Sequence, residues 1–200
     1  MTIFQLLMLG ASAYFAFKIY QHIQTLKDKE EDTTNTPQAP RTAEAFSTFS
    51  PESLILRADE AFENDEKEKA VALLIEANAK APNNADTLFK LGYILNQIGD
   101  KEAALERYKE ALEADAHNEY IHNAIASLYR EEGEFASAKM HLNASLQIDD
   151  TNPVTYYNFG NLLVDMHKKD EAIVMYEKAL ELNPELTQVQ EELEKLQGKE

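Results

Sequence analysis

The order of apolar and polar positions divides the chain into three unlike parts. From Ile3 to Tyr20 almost every residue is apolar, and only Gln5, Ser12 and Lys18 interrupt the run. At the rise of an α-helix, Ile3 to Ile23 would measure roughly 30 Å, about the thickness of one hydrocarbon core. Residues 1–24 are therefore expected to form a transmembrane anchor. Two other readings are a signal peptide cleaved near Ala11-Ser12-Ala13 and a helix buried against, or lying beside, the rest of the chain. Against cleavage, no Lys or Arg precedes the run, and it continues past that site through Tyr14–Phe17. Lys18, Lys27 and Lys29 all follow the span, so the positive-inside bias predicts a cytoplasmic C-terminal side. Ser12 and Ala16 form a small-xxx-small pair that would suit helix pairing in a membrane.

Residues 25–50 are polar, contain Pro37 and Pro40 and lack sustained periodicity, which predicts a flexible linker. Phe46 and Phe49 break that polarity. They are expected to cover the apolar flank of the first downstream helix, with a short docking segment as the alternative.

Beyond Ser50 the apolar pattern repeats every 34 residues, in registers that begin at Pro51, Ala85, Glu119 and Pro153. The eighth position is Ala58, Gly92, Ala126 and Gly160; the twentieth is Ala70, Ala104, Ala138 and Ala172. The twenty-seventh is Ala77, Ala111, Ser145 and Ala179, and the twenty-fourth carries large residues, Leu74, Tyr108, Leu142 and Tyr176. Each unit holds two helix-periodic stretches separated by a break such as Gly99-Asp100 or Gly133-Glu134. The small positions would let paired helices approach closely while the large ones fill the space between. Ser50-Pro51 reads as an N-cap followed by proline at the first helical position. After the fourth unit, Leu186, Val189, Leu193 and Leu196 make one more apolar stripe, as expected of a capping helix within residues 187–200. The fold class predicted is all-α: a solenoid of four helix-turn-helix units at 51–84, 85–118, 119–152 and 153–186, plus that cap.

Composition removes several function classes. The formal net charge is −17, from 36 acidic against 19 basic residues, which repels phosphate backbones and argues against nucleic-acid binding. No cysteine is present, so thiolate catalysis and Cys-ligated metals are excluded. The histidines, His22, His117, His122, His141 and His167, form no metal-ligand spacing, and no P-loop, GxGxxG or GxSxG pattern occurs. Paired carboxylates such as Glu131-Glu132 suit solvated faces in so acidic a chain. Neither an enzyme nor a cofactor is expected.

The segments LFKLGYILNQIGDKEAALERYKEALEADA and YYNFGNLLVDMHKKDEAIVMYEKALELNP resemble the tetratricopeptide repeat, and the resemblance covers about two thirds of the chain, from Pro51 to Leu186. The first unit departs from the family pattern, with Arg57 at a usually aliphatic position and Ala61 at a usually aromatic one. The resemblance implies that the first helix of each repeat lines a partner-binding groove through its second, fifth, ninth and twelfth residues. Those residues include Phe89, Tyr93 and Asn96 from the second repeat, Tyr120, Asn123 and Arg130 from the third, and Tyr157 and Asn161 from the fourth. The tyrosines would be rigid anchors, and the asparagines would donate to and accept from a ligand backbone. Family members that clamp a terminal carboxylate do so with lysine and asparagine, yet Ile55 and Asp59 stand at those first-repeat positions. Arg130 and Lys90 remain as isolated cations. The function expected is a membrane-anchored adaptor that binds an extended peptide or helix of a partner protein, in membrane-complex assembly or quality control. A self-associating scaffold, or a periplasmic envelope-assembly protein if the topology is inverted, are the alternatives.

Overall fold

A computed structural model describes residues 49–198. The expected membrane anchor and most of the linker lie outside the described residues. Among the described residues no helix is long and apolar enough to cross a membrane.

The described residues form α-helices joined by short turns: α1 Pro51–Glu63, α2 Lys67–Lys80, α3 Ala85–Gln97, α4 Lys101–Ala114, α5 Glu119–Glu131, α6 Phe135–Ile148, α7 Pro153–Asp165, α8 Lys169–Leu182 and α9 Thr187–Gln197. No strand occurs among them. The helices α1, α3, α5 and α7 begin at the four expected register starts. Each packs on the helix that follows it, and that helix packs on the first helix of the next repeat; α9 closes the stack on α8.

Capping follows the same period. Ser50, Asn84, Asn118 and Asn152 precede the four first helices, and each side chain accepts from a backbone N–H in the first turn. The turn within each repeat places its fifteenth residue in the left-handed region: Asp65 (φ 61°), Gly99 (φ 88°), Gly133 (φ 79°) and His167 (φ 59°). Glycine adopts that conformation freely, whereas Asp65 and His167 hold it at some cost.

All twelve residues at the eighth, twentieth and twenty-seventh positions are buried. The eighth and twenty-fourth positions also vary together. Ala58 and Ala126 accompany Leu74 and Leu142, while Gly92 and Gly160 accompany Tyr108 and Tyr176. A Cβ on Gly92 would lie 2.7 Å from two ring carbons of Tyr108, and one on Gly160 would strike the Tyr176 ring harder still. Each repeat thus fills one inter-helix space with either an alanine and a leucine or a bare Cα and a tyrosine.

The first repeat accommodates its two departures. Ala61 is buried, and the Arg57 guanidinium stacks 4.1 Å over the ring of Phe49. Lys80 Nζ donates to the Phe49 carbonyl at 3.0 Å. Phe49 thus lies against the first repeat and Ser50 caps α1, as the sequence predicts, although both fall within the stretch expected to be linker. The apolar stripe of α9 closes the other end as expected: Val189, with Leu186, Leu193 and Leu196, packs around Tyr176 and Ala179.

Candidate partner-binding groove

The first helices α1, α3, α5 and α7 carry the expected groove residues, and neighbouring helices are tied by specific pairs. Between α1 and α3, Lys90 Nζ donates to both carboxylate oxygens of Asp59, at 2.7 and 2.6 Å. The ring of Phe62 meets that of Tyr93 edge to face, with centroids 5.7 Å apart. Around these pairs lies an apolar pocket of about 150 Å³ lined by Asp59, Phe62, Phe89, Lys90, Tyr93 and Ile94. Tyr93 leaves 44% of its surface exposed there, and Phe89 is half-buried against Tyr108, centroids 5.6 Å apart.

Farther along, Tyr120 is 57% exposed at the start of α5. Asn96 is half-buried near the C-terminal end of α3. Tyr157 is half-buried, its centroid 6.1 Å from that of Tyr176. Asn161 is also half-buried, and its Oδ1 accepts from the Tyr176 hydroxyl at 2.7 Å, which commits its acceptor but leaves its amide hydrogens without a hydrogen-bond partner among the described residues.

Three residues differ from expectation. Asn123 is only 5% exposed. Its amide nitrogen donates to Ser145 Oγ at 3.0 Å and to Thr155 Oγ1 at 2.8 Å, and its Oδ1 accepts from Asn158 Nδ2 at 3.3 Å. Ser145 Oγ and Thr155 Oγ1 are themselves 3.0 Å apart, so a closed polar network joins α5, α6 and α7. Both amide hydrogens being spent inside the fold, Asn123 is a structural residue rather than a presented ligand-binding group. Arg130 is not an isolated cation either, because its Nη1 pairs with Asp165 Oδ2 of α7 at 2.6 Å. Lys90 is likewise taken up by Asp59.

The sequence gives no warning of one further pair. His122 on α5 and His141 on α6 share a hydrogen bond between their Nδ1 atoms, 2.9 Å apart. Tyr129 packs beside His141, centroids 5.8 Å apart, and Lys109 Nζ of α4 lies 5.7 Å from the Tyr129 ring. Burial, then the neighbouring His122 and Lys109, hold His141 down to about 4, and burial lowers His122 as well. Both shifts favour the neutral rings, one of which donates to the other across the Nδ1 pair. Among the described residues no three His, Asp or Glu side chains converge as metal ligands.

With this geometry the face offers exposed aromatic surface around a small pocket, in a setting rich in carboxylates. Family models described as tetratricopeptide repeat match residues 61–128, 120–152 and 153–186. BBSome complex member BBS4 of Mus musculus is 29% identical over 109 residues, which is 54% of this chain and 21% of that protein. The chain therefore spans about a fifth of that curated relative's length. Among solved structures, Pseudomonas aeruginosa pilF superposes with a TM-score of 0.68 at 24% identity, covering 74% of this chain and 68% of that one. The first repeat domain of Spaghetti (RPAP3), solved bound to the HSP90 peptide SRMEEVD, superposes with a TM-score of 0.54 at 26% identity, covering 57% of this chain and 91% of that one. Such a fold typically serves protein–protein interaction.

Proposed function

We propose that this chain, which belongs to the tetratricopeptide-repeat family, is a membrane-anchored adaptor whose first helices capture a peptide or helix of a partner protein. The observation that carries the proposal is the exposure of Tyr93 and Tyr120 on successive first helices. Large aromatics are often drawn inward, and where they stay exposed, as Tyr93 does at the pocket and Tyr120 does on the next first helix, they supply rigid contact area at little entropic cost. Binding of an HSP90 peptide by the Spaghetti repeat domain is in keeping with this role.

The membrane part rests on the apolar run from Ile3 to Tyr20 and on the cations that follow it. Anchoring would raise the local concentration of the repeats near a membrane-bound partner. Its place would be in assembly or quality control of membrane complexes, with the repeats on the cytoplasmic side. Alkaline-carbonate extraction tests the anchor: release of the intact chain into the soluble fraction contradicts it.

Partner capture is tested with the full chain in mild detergent as bait, beside a Tyr93→Ala, Tyr120→Ala double variant. A protein retained by the parent and lost by the variant supports the groove. Identical retained sets contradict it.

A self-associating scaffold is the second reading, favoured by the outer surface of α6. Its exposed residues are Ala136, Lys139, Met140, Asn143 and Gln147, a single charge among them, with Met140 61% exposed. In a chain of net charge −17 this is a face on which two copies would meet with little repulsion. Light scattering that finds a monomer at every concentration removes this reading.

A further inference from the structure

We propose that the segment recognised by the groove carries an apolar or aromatic anchor flanked by lysine or arginine. This rests on the groove reading above and adds the chemistry of the partner.

Free charge on the groove face is of one sign. The cations of that face are Lys90 and Arg130, and each is already neutralised, by Asp59 at 2.6 Å and by Asp165 at 2.6 Å. Glu131 is also satisfied, by Lys101 of α4 at 2.6 Å. Glu52 and Glu63 on α1 and Asp86 on α3 have no ion-pair partner among the described residues. All three are exposed and lie in the first two repeats, the half of the face that holds the pocket. Glu63 follows Phe62 directly, and Asp86 stands one helical turn before Phe89 and Lys90. Of these three carboxylates, Glu63 and Asp86 thus lie on the same two helices as the pocket, within a turn of residues that line it, and Glu52 lies at the start of α1.

An acidic segment would meet these carboxylates at once. To gain a cation it would have to pull Lys90 from Asp59, or Arg130 from Asp165, leaving another carboxylate unpaired. A basic segment meets no such conflict. Its cations can pair with Glu52, Glu63 and Asp86 as they stand and lie over the exposed rings of Tyr93 and Tyr120, while its anchor enters the pocket. The net charge of −17 would also steer a basic segment toward this chain from a distance. The sign is opposite to that of the SRMEEVD peptide held by the Spaghetti domain.

The test is fluorescence anisotropy on the full chain in mild detergent. The probes are three labelled peptides sharing a central phenylalanine, with flanks of lysine and arginine, of serine and glycine, or of aspartate and glutamate. The basic peptide is expected to bind at least about tenfold more tightly than the acidic one, and more weakly as NaCl rises from about 0.05 to 0.5 M. Asp86→Lys and, independently, Glu63→Lys should each weaken it severalfold, while Tyr93→Ala should remove most binding of the basic and neutral peptides alike. Acidic or neutral peptides binding as tightly as the basic one would overturn the charge inference and leave the groove standing. Basic-peptide binding that survives Tyr93→Ala unchanged would show attraction to the acidic surface at large and overturn it too. If no peptide binds, the inference fails with respect to extended segments, whereas the fate of the groove is decided separately by the capture experiment.

Discussion

The ring of Tyr108 rests on the bare Cα of Gly92, and a methyl group there would lie 2.7 Å from two of its carbons. Gly92→Ala should therefore destabilise the array by about 1–3 kcal/mol, despite the better helix propensity of alanine. The second change that relieves the clash is already written into the first and third repeats, where alanine faces leucine. Gly92→Ala with Tyr108→Leu should recover much of the loss. Urea titrations of the two single variants and the double variant measure this coupling; purely additive effects would refute the pairing.

Removing the Asn123 side chain takes away the amide that donates to the buried hydroxyls of Ser145 and Thr155, which keep only their bond to each other, and strips Asn158 Nδ2 of its acceptor. Asn123→Ala should cost about 1–3 kcal/mol of folding stability. Replacing the three together, Asn123→Leu with Ser145→Ala and Thr155→Val, should cost less, since both buried hydroxyls go with the amide and only the half-buried Asn158 amide and the Glu119 carbonyl lose a partner. Chemical denaturation compares them, and a stability of Asn123→Ala equal to the parent would place the side chain in solvent.

Much of this fold is legible in the sequence, because the 34-residue period exposes the packing positions by their small size. Helix starts, caps and the small twenty-seventh position all follow from it. What the period hides is any contact particular to one repeat. Asn123 stands in a column otherwise occupied by Ile55, Phe89 and Tyr157, and Ser145 in a column of alanines. Two polar residues in apolar columns of the same repeat were the available signal for a buried network, yet their meeting with Thr155 depends on a helix of the next repeat. The pairs Lys90–Asp59 and Arg130–Asp165 escape for the same reason, joining residues 31 and 35 positions apart. A groove list taken from register alone therefore mixes presented side chains such as Tyr93 with committed ones such as Asn123 and Arg130.

Acid should weaken the third repeat before it protonates most carboxylates. His141 is lowered from 6.5 to about 4 in the folded chain, and His122 is lowered too, so the unfolded chain takes up protons first. Stability present above pH 6.5 is then lost as pH falls toward about 4, and below that this contribution is flat. After allowance for solvent around the half-exposed ring, the effect is on the order of 1 kcal/mol. A His141→Gln variant should show a flatter pH profile of thermal stability across that window, and a slope identical to the parent's would exclude the pair as its cause.

The left-handed turn positions allow a backbone effect to be measured alone. A Cβ at Gly133 would meet no atom within 4 Å, so Gly133→Ala should cost about 1 kcal/mol through φ alone. At the equivalent position His167→Gly should stabilise by up to about 1 kcal/mol. Melting temperatures moving in the same direction for both would contradict a common turn conformation.

Whether a partner lies on the face of the first helices is decided by site-specific photocrosslinking in cells. A photoreactive phenylalanine analogue would replace Tyr120 on the groove face or Met140 on the outer surface of α6, two side chains exposed to similar extents, 57% and 61%. The expected result is a discrete crosslinked product from Tyr120 with a different protein, and none with that protein from Met140. A product with the same protein from Met140 and none from Tyr120 would rule out the groove and move recognition to α6.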